Sequence, residues 1–509
     1  MNFDDPFSGY TLLLRIIVYG LVPVFTVLQF VRLRRALQVF QQEGYKRKRF
    51  LAWCSGNRRR AMWLRPAGGK KPLVMTGRAW RILTTSTLLT PLLVLAPSGV
   101  AHVALGGWPA DVVTWLGATV AVFFLASQLL VAADWLLSPV QAMINARYMR
   151  AARRRLTQTD PVVVGVTGSF GKTSTKFAIE GLIGDPGSVL ATPGSFNTPL
   201  GVCRTINERL SAGHRFFIVE MGAYGVGEIA ELCRFARPRI GVLTSIGPAH
   251  LERFGRLENI RRAKYELIEA LPPDGVAVMN VDDPVVRELA DQTTHVRVLR
   301  FGVEADGAPD ITATNVATTT DGTSLTITER SSGESISAHT RLLGRHAIGH
   351  LLAGVAVARA VGRHLGDLAG PISELRPVEH RLQIIEGTGG ITVIDDAYNS
   401  NPDGASAALD VLESMPARRK VVVTPGMVEL GDLQAESNRA LGERAAAVAD
   451  TLIVVAGMNR RSITAGAGGG RAEVLTVDSL EEASARLRDL LAPGDVVLFE
   501  NDLPDQYES

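Results

Sequence analysis

A chain of 509 residues is long enough for about three domains. Its three cysteines (Cys54, Cys203, Cys233) form no C-x-x-C and no metal spacing, which excludes a cysteine-held metal and leaves reduced thiols of a cytosolic environment. The formal net charge of +3 conceals an asymmetry, since residues 1–155 carry 21 Lys+Arg against 5 Asp+Glu and the remainder 33 against 46. A basic, hydrophobic third joined to an acidic, Ala/Gly-rich two-thirds excludes one uniform body and points to a membrane or nucleic-acid region beside a globular one.

Three apolar segments open the chain, at about 10–31, 82–105 and 112–133, each near the roughly 20 residues that a membrane-spanning helix needs. Trp80, Trp108, Trp115 and Trp135 lie near their ends, where interfacial aromatics belong. The first is not a cleaved signal peptide, because Asp4 and Asp5 precede it and the basic run follows. The loop 32–80 holds Lys46-Arg47-Lys48-Arg49 and Arg58-Arg59-Arg60 with only Glu43 against them, and Arg147, Arg150 and Arg153-Arg154-Arg155 follow the third segment. Basic loops stay inside. The expectation is a multi-pass protein of the inner (plasma) membrane: three transmembrane helices, N-terminus outside, everything after residue 155 in the cytoplasm. A buried helical hairpin is the competing reading. The position of the basic loop between spans favours membrane lipids over nucleic acid as its partner.

After Pro161 the run Val162-Val163-Val164-Gly165-Val166 stops at Thr167-Gly168-Ser169-Phe170-Gly171-Lys172-Thr173-Ser174, and a helical stretch follows to Ile183. Strand, Gly-rich turn and helix N-terminus in that order make a phosphate loop, whose amides and helix dipole receive phosphate oxygens. Lys172 would reach the β/γ-phosphates of ATP and the Thr173 hydroxyl would hold Mg²⁺. Val166 stands where the usual motif has its first Gly, so an ordinary βα turn is the alternative.

Strands at 216–219, 240–246 and 276–279 alternate with helical patterns, which gives an α/β domain with a largely parallel sheet. Ligands of such sheets sit beyond the carboxyl ends of the strands, where Glu220, His250 and Asn280 fall. Singly, Glu220 reads as a capping acid and His250 as a turn histidine. Together on one rim they read as Mg²⁺ ligands. A linker at 366–377 then precedes a second, Rossmann-like α/β unit with strands at 391–394, 420–424, 451–455, 473–477 and 496–499. Gly466–Gly470 lacks the context of a dinucleotide site and reads as a flexible turn. Glu429, Asn501 and Asp502, at strand ends, are candidates for holding an ammonium group.

From Pro161 onward the chain resembles the Mur ligases, the ATP-dependent amide synthetases that build the peptidoglycan stem peptide. The resemblance rests on T-G-S-F-G-K-T (Thr167–Thr173), S-F-N-T-P-L-G (Ser195–Gly201), E-M-G-A (Glu220–Ala223), T-S-I-G-P-A-H-L-E (Thr244–Glu252), Ala263-Lys264 and N-V-D-D-P (Asn280–Pro284). It continues through H-R-L-Q (His380–Gln383), D-D-A-Y-N-S-N-P (Asp395–Pro402) and G-M-V-E-L-G (Gly426–Gly431), which look most like the branch adding D-alanyl-D-alanine. It implies a P-loop central domain (156–368) and a Rossmann-like C-terminal domain (369–509), after a membrane region (1–155) in place of the usual UDP-binding domain.

The resemblance also implies roles. Lys172, His250 and Lys264 become the catalytic group. ATP is held by Thr167, Gly168, Ser169, Gly171, Lys172, Thr173, Ser174, Asn280, Arg381 and Asp396, with Tyr398, Asn399 and Asn401 shaping the turn beside it. Two Mg²⁺ sites draw on Thr173, Glu220, His250 and Lys264, the last as a lysine carbamylated by CO₂. The stretch Gly344-Arg345-His346-Ala347-Ile348-Gly349-His350 departs from the family's G-x-H-N-x-x-N, which leaves the adenine contact unassigned. The implied activity is amide ligation through an acyl phosphate. A cell-wall precursor, lipid-linked or UDP-linked, is joined to an amino acid or dipeptide amine, and no nucleic acid takes part. The missing UDP domain favours the lipid-linked form. A polyglutamate-type or lipid acceptor, and a P-loop transport or signalling ATPase, are the alternatives.

Overall fold

The computed structural model describes residues 8–57, 72–105, 110–185, 187–194, 196–303, 308–319, 322–387, 389–398, 400–455 and 457–502. It forms two compact units, Met1–Arg147 and Tyr148–Ser509.

The first unit is helical, with Ser8–Gln42, Arg47–Gly56, Gly77–Leu105, Ala110–Phe124 and Ala126–Leu136 as its main elements. Leu33, Leu37 and Phe40 meet Ile82, Leu83, Leu129, Leu130 and Ala133 in a core of its own. Asp134 is buried and answered by Arg47 at 2.7 Å and Arg78 at 2.9 Å. Faces turned away from this core expose Leu88, Leu92, Val100 and Val113.

The three-span expectation is corrected here. Among the described residues one helix, Gly77–Pro97, is long and apolar enough to cross a membrane. A second counts only if Val113–Phe124 and Ala126–Leu136, bent by 77°, are joined as one. Most side chains of the first segment, 10–31, and the basic run 58–60 lie outside the described residues. The multi-pass plasma-membrane topology, its sidedness and the lipid partners inferred from it are therefore withdrawn. Hydropathy counts apolar residues without asking what they pack against. The segment 112–133 breaks at Leu125, and its second half turns Ala126, Leu129, Leu130 and Ala133 onto a protein core. Part of the following basic run is likewise spent on protein: Arg155 donates to the carbonyls of Leu210 (2.6 Å) and Asn207 (2.9 Å).

The second unit holds two sheets. The first has nine strands: β1 Val162–Thr167, β2 Val189–Ala191, β3 Phe216–Glu220, β4 Ile240–Leu243, β5 Val276–Asn280, β6 Arg297–Gly302, β7 Ile311–Thr319, β8 Gly322–Glu329 and β9 Ser335–Thr340. Their order is β2-β3-β1-β4-β5-β6-β7-β8-β9. Pairing is parallel as far as β7, and β7-β8-β9 is an antiparallel extension. The second sheet is β10 Gln383–Glu386, β11 Thr392–Asp396, β12 Lys420–Thr424, β13 Thr451–Val455, β14 Glu473–Val477 and β15 Val496–Glu500, ordered β10-β11-β15-β12-β13-β14, with only β10 antiparallel. The α/β class stands, with one β-branched strand after another buried on both faces between helices.

Three local readings change. β4 ends at Leu243 rather than at residue 246, because Thr244 and Ser245 turn to meet the phosphate loop. The stretch 366–377 is no linker: Leu365–Leu368 and Ala369–Glu374 are helical, and Leu365, Leu368 and Ile372 are fully buried. Gly466 is not in a flexible turn. It lies in the helix Arg460–Ala467, where an added Cβ would collide with the Arg439 carbonyl of the helix Gln434–Val448, so it is small because two helix backbones approach there.

Candidate active site

The phosphate loop joins β1 to the helix Lys172–Ile183. Gly168 (φ +153°) and Gly171 (φ +76°) adopt backbone conformations that suit glycine, and an added Cβ would fall on Thr244 Oγ1 or on the His350 ring. The loop is pinned from β4's end: the Ser169 amide donates to the Ser245 carbonyl at 2.8 Å, and Ser169 Oγ donates to the Gly247 carbonyl at 2.9 Å. Thr167 Oγ1 donates to the Met221 carbonyl at 2.8 Å, tying β1's end to β3's. A rigid backbone cradle opening on a helix N-terminus fits phosphate. Lys172 turns back over it, donating to the carbonyls of Gly168 (2.8 Å) and Ser169 (2.9 Å). Burial, opposed by Glu220 and assisted by Arg381, lowers its ammonium to about 8.

β3 delivers Glu220, which is 1% exposed. Thr173 Oγ1 donates to its Oε2 at 2.9 Å, Lys176 Nζ to Oε2 at 3.2 Å, and Asn197 Nδ2 to Oε1 at 3.2 Å. Thr173 and Glu220 thus present two hard oxygens side by side, a donor pair that suits Mg²⁺. Lys264, on the helix Leu257–Glu269, is 3% exposed and is no surface lysine. Burial, and after it the charge of Lys172, lowers its ammonium to about 7, against the pull of Glu228, Glu266 and Glu220. Among the described residues its Nζ has no hydrogen-bond acceptor, only the Phe254 ring, 5.8 Å away.

His250 stands in a left-handed turn (φ +53°) after β4. Its ring packs edge-on against Tyr224, 5.0 Å between centroids, and Nδ1 contacts Glu429 from the loop after β12. Arg253 donates to the other Glu429 oxygen at 2.9 Å. Glu429, proposed from the sequence to hold an ammonium group, therefore clasps the first sheet's side of the cleft. Asn280 uses its amide within the protein, donating to the Thr244 carbonyl at 2.9 Å and accepting from the Asp282 amide at 3.1 Å.

The other wall comes from the second sheet. Asp396 ends β11, accepts from the Leu382 amide at 3.1 Å, and pairs in register with Glu500 of β15. Burial raises the Asp396 carboxyl to about 6 against the pull of Arg381, and raises Glu500 well above the carboxylate range, with Asp396's charge adding to it. Two buried carboxyls side by side share a proton rather than ionise together. Arg381 stacks on Tyr398, 4.5 Å from the ring centroid, and its field reaches Lys172 across the cleft. Asn501 is held in place, donating to the Gly426 carbonyl at 2.6 Å and accepting from the Ser400 amide at 3.1 Å. Asn399 lies outside the described residues.

The structure thus brings Lys172, Thr173, Glu220 and Lys264 together, sets Arg381 and Asp396 opposite, and places His250 at the seam. Sequence reasoning missed Lys176, His350 and Glu500. Lys176 follows Lys172 by four residues and so shares its helix face, which was a usable signal. His350 Nδ1 lies 3.1 Å from Thr175 Oγ1, and burial, with His346 and Arg381 adding to it, pushes its imidazole down to about 3. The residue standing in the family's second Asn position is therefore a neutral part of the phosphate-loop floor.

The family described as Mur ligase middle domain matches residues 166–358, and that described as Mur ligase, glutamate ligase domain matches 380–500. A UDP-N-acetylmuramoyl-tripeptide–D-alanyl-D-alanine ligase of Mycobacterium bovis is 35% identical over 379 residues, covering 69% of this chain and 72% of that protein. Its counterpart in Escherichia coli K12 is 33% identical over 308 residues, covering 60% and 67%. The crystal structure of MurF ligase from Thermotoga maritima in complex with ADP superposes with a TM-score of 0.63 at 29% identity, over 70% of this chain and 80% of that one. That of MurF from Acinetobacter baumannii gives 0.63 at 26%, over 70% and 76%. With the phosphate loop, the buried lysines and these relatives in agreement, the chain belongs to the Mur ligase family and is an ATP-dependent ligase.

Proposed function

We propose that the chain joins D-alanyl-D-alanine, or a closely similar amine, to the free carboxylate of a UDP-linked muramoyl tripeptide in peptidoglycan synthesis. The observation that carries this reading is the grouping of Lys172 and Thr173 beyond β1 with the buried Glu220 at the end of β3 and the buried Lys264 of the helix Leu257–Glu269, in a chain 35% identical to a D-alanyl-D-alanine-adding ligase. A carboxylate does not react with an amine in neutral water. ATP removes the obstacle: a carboxylate oxygen takes the γ-phosphoryl group, ADP leaves, and the amine attacks the acyl phosphate carbonyl. The tetrahedral intermediate then expels phosphate, and the amine's proton passes to solvent.

The amides of Gly168, Gly171, Lys172, Thr173 and Ser174 cradle the phosphates, Thr167 and Ser169 fix the loop through their bonds to Met221, Ser245 and Gly247, and Lys172 neutralises the transferring group. Arg381 and Asp396 close on the nucleotide from the opposite wall, with Asn280 holding the strand ends in place. Thr173 and Glu220 would hold one Mg²⁺, and His250 with Lys264 a second. The metal would screen charge on the transferring phosphoryl group. A lysine lowered to about 7 has a large free-amine fraction at neutral pH, which is the form that adds CO₂, so carbamylation of Lys264 suits its surroundings. We keep 1–155, 156–368 and 369–509 as the working division into a helical region, an ATP-binding central domain and a C-terminal domain.

Two alternatives lose ground. A lipid-linked acceptor was favoured by three spans in the place of the usual UDP domain, whereas the described residues hold one helix long and apolar enough to cross a membrane, or two if a bent pair is joined. A transport ATPase has no use for this family's site. The test supplies purified protein with ATP, D-alanyl-D-alanine and matched UDP-linked or lipid-linked tripeptide, and weighs the product. An amide product from the UDP-linked form is expected. Product from the lipid-linked form alone would overturn the acceptor, and ATP turnover that needs no amine would overturn the reaction.

A further inference from the structure

The helix Lys172–Ile183 carries two lysines on one face, and only the first belongs to the phosphate loop. Lys176 is fully buried. Its ammonium donates to Glu220 Oε2 at 3.2 Å and to the Gly194 carbonyl. Burial lowers its proton affinity while Glu220 opposes that shift. A buried ion pair of this kind is retained at a desolvation cost, so it is weak evidence for stability and invites a functional explanation.

The charge around Glu220 supplies one. Three lysines, 172, 176 and 264, lie within the field of this carboxylate. Among the described residues no group of three His, Cys, Asp or Glu side chains is arranged to hold a metal ion. A divalent cation approaching Glu220 without nucleotide meets a carboxylate already neutralised, with two more lysines close by. A bound triphosphate brings several negative charges to the same place and reverses that balance.

We propose that Lys176 is an internal counter-cation for Glu220: it holds the carboxylate in register in the nucleotide-free protein and makes divalent-cation binding conditional on nucleotide. Lys176 is a positioning residue, acting through Glu220. The proposal rests on the reading of Glu220 as a metal carboxylate. It assigns the lysine a role that activity alone would not reveal, because it concerns the order in which metal and nucleotide arrive.

The experiment titrates Mn²⁺ into the purified full chain and follows free Mn²⁺ by electron paramagnetic resonance, with and without a non-hydrolysable ATP analogue. Wild type should bind Mn²⁺ weakly alone and tightly with the analogue. In Lys176→Met, and in Lys176→Gln, which keeps a donor for the Gly194 carbonyl, nucleotide-free affinity should rise by at least about tenfold, because a unit charge near 3 Å from the ligand oxygen has gone. The dependence on analogue should shrink accordingly. Circular dichroism melts identify which variant is folded. Unchanged nucleotide-free affinity in a folded variant would overturn the proposal, as would wild type binding Mn²⁺ equally well without the analogue. Glu220→Gln separates the two readings: if Mn²⁺ binding to the analogue complex survives that change intact, the assignment of Glu220 as metal carboxylate fails.

Discussion

The two walls of the cleft hold buried charge of opposite sign, and each is disturbed in the opposite sense. On the first sheet's rim burial holds the ammonium groups of Lys172 and Lys264 down to about 8 and about 7. On the second sheet's rim burial pushes Asp396 up to about 6, with Glu500 above the carboxylate range beside it. The same desolvation acts on both, and it penalises whichever form is charged. The lysine wall is short of negative charge, which a nucleotide and a carbamate would supply. The carboxyl wall relieves its strain internally, by retaining a proton. The first therefore needs a ligand to be electrostatically complete, and the second needs only Arg381.

Removing the central cation breaks the comparison hardest. Lys172→Ala should lower ATP-dependent amide formation by about 10³-fold or more, by analogy with other donors to a transferring phosphoryl group, measured in single turnover. Retention of a tenth of the wild-type rate would remove Lys172 from the chemistry. Lys264→Ala comes next, with a loss on the order of 100-fold, partly restored by a small added carboxylate. Lys264→Arg should not substitute, because a guanidinium stays cationic and cannot add CO₂. As CO₂ adds only to the free amine, wild-type rate should fall as pH drops through about 7 and recover in part with bicarbonate. Full activity of the arginine variant would refute the carbamate.

Opposite pH slopes sharpen the contrast. A lysine lowered from 10.5 to about 7 binds fewer protons folded than unfolded, so its penalty is complete below pH 7 and disappears as pH rises toward 10.5. An aspartate raised from 3.8 to about 6 binds more protons folded, so its favourable share is present at pH 4 and lost as pH passes 6. Asp396→Asn should therefore be more stable than wild type at pH 8, by a few kcal/mol at most, and lose that margin near pH 4. Urea unfolding at the two pH values measures it, and a margin that grows toward low pH would reject the assignment. The smallest effect belongs to a helix cap beside the second sheet. Asn401 caps the helix Pro402–Ser414 by accepting from the Gly404 amide at 3.0 Å. Asn401→Ala should cost about 1 kcal/mol by urea unfolding, without moving either pH slope.

Much of the ligase body was legible because its signals are local. A β-branched run ending in T-G-S-F-G-K-T sets strand, loop and helix from its own residues, and Glu220 and Asp396 fall at strand ends by counting. In the extension β7-β8-β9, β7 and β9 went unread because they are largely exposed and rich in Thr and Ser, and the alternation of β8, which is mostly buried, was a signal left unused. The stretch 366–377 went wrong because its Gly and Pro residues suggested a linker, while burial of Leu368 and Ile372 is a tertiary fact. The third apolar segment, 112–133, was misread for the same reason, since the bend at Leu125 and the buried Asp134 ion pairs appear only when neighbouring helices are in place.

By itself the sequence determined the α/β class, the phosphate loop, the order of the family motifs and which residues stand at the strand ends. These follow from periodicity and spacing, which depend on near neighbours in the chain. Only the tertiary structure decided which charges are buried and what answers them. That settled the proton balance of Lys264, the Asp396–Glu500 pair, the place of His350 under the phosphate loop and the ion pair of Lys176 with Glu220. Desolvation and Coulomb interaction act through space, between residues 44 to more than 100 positions apart.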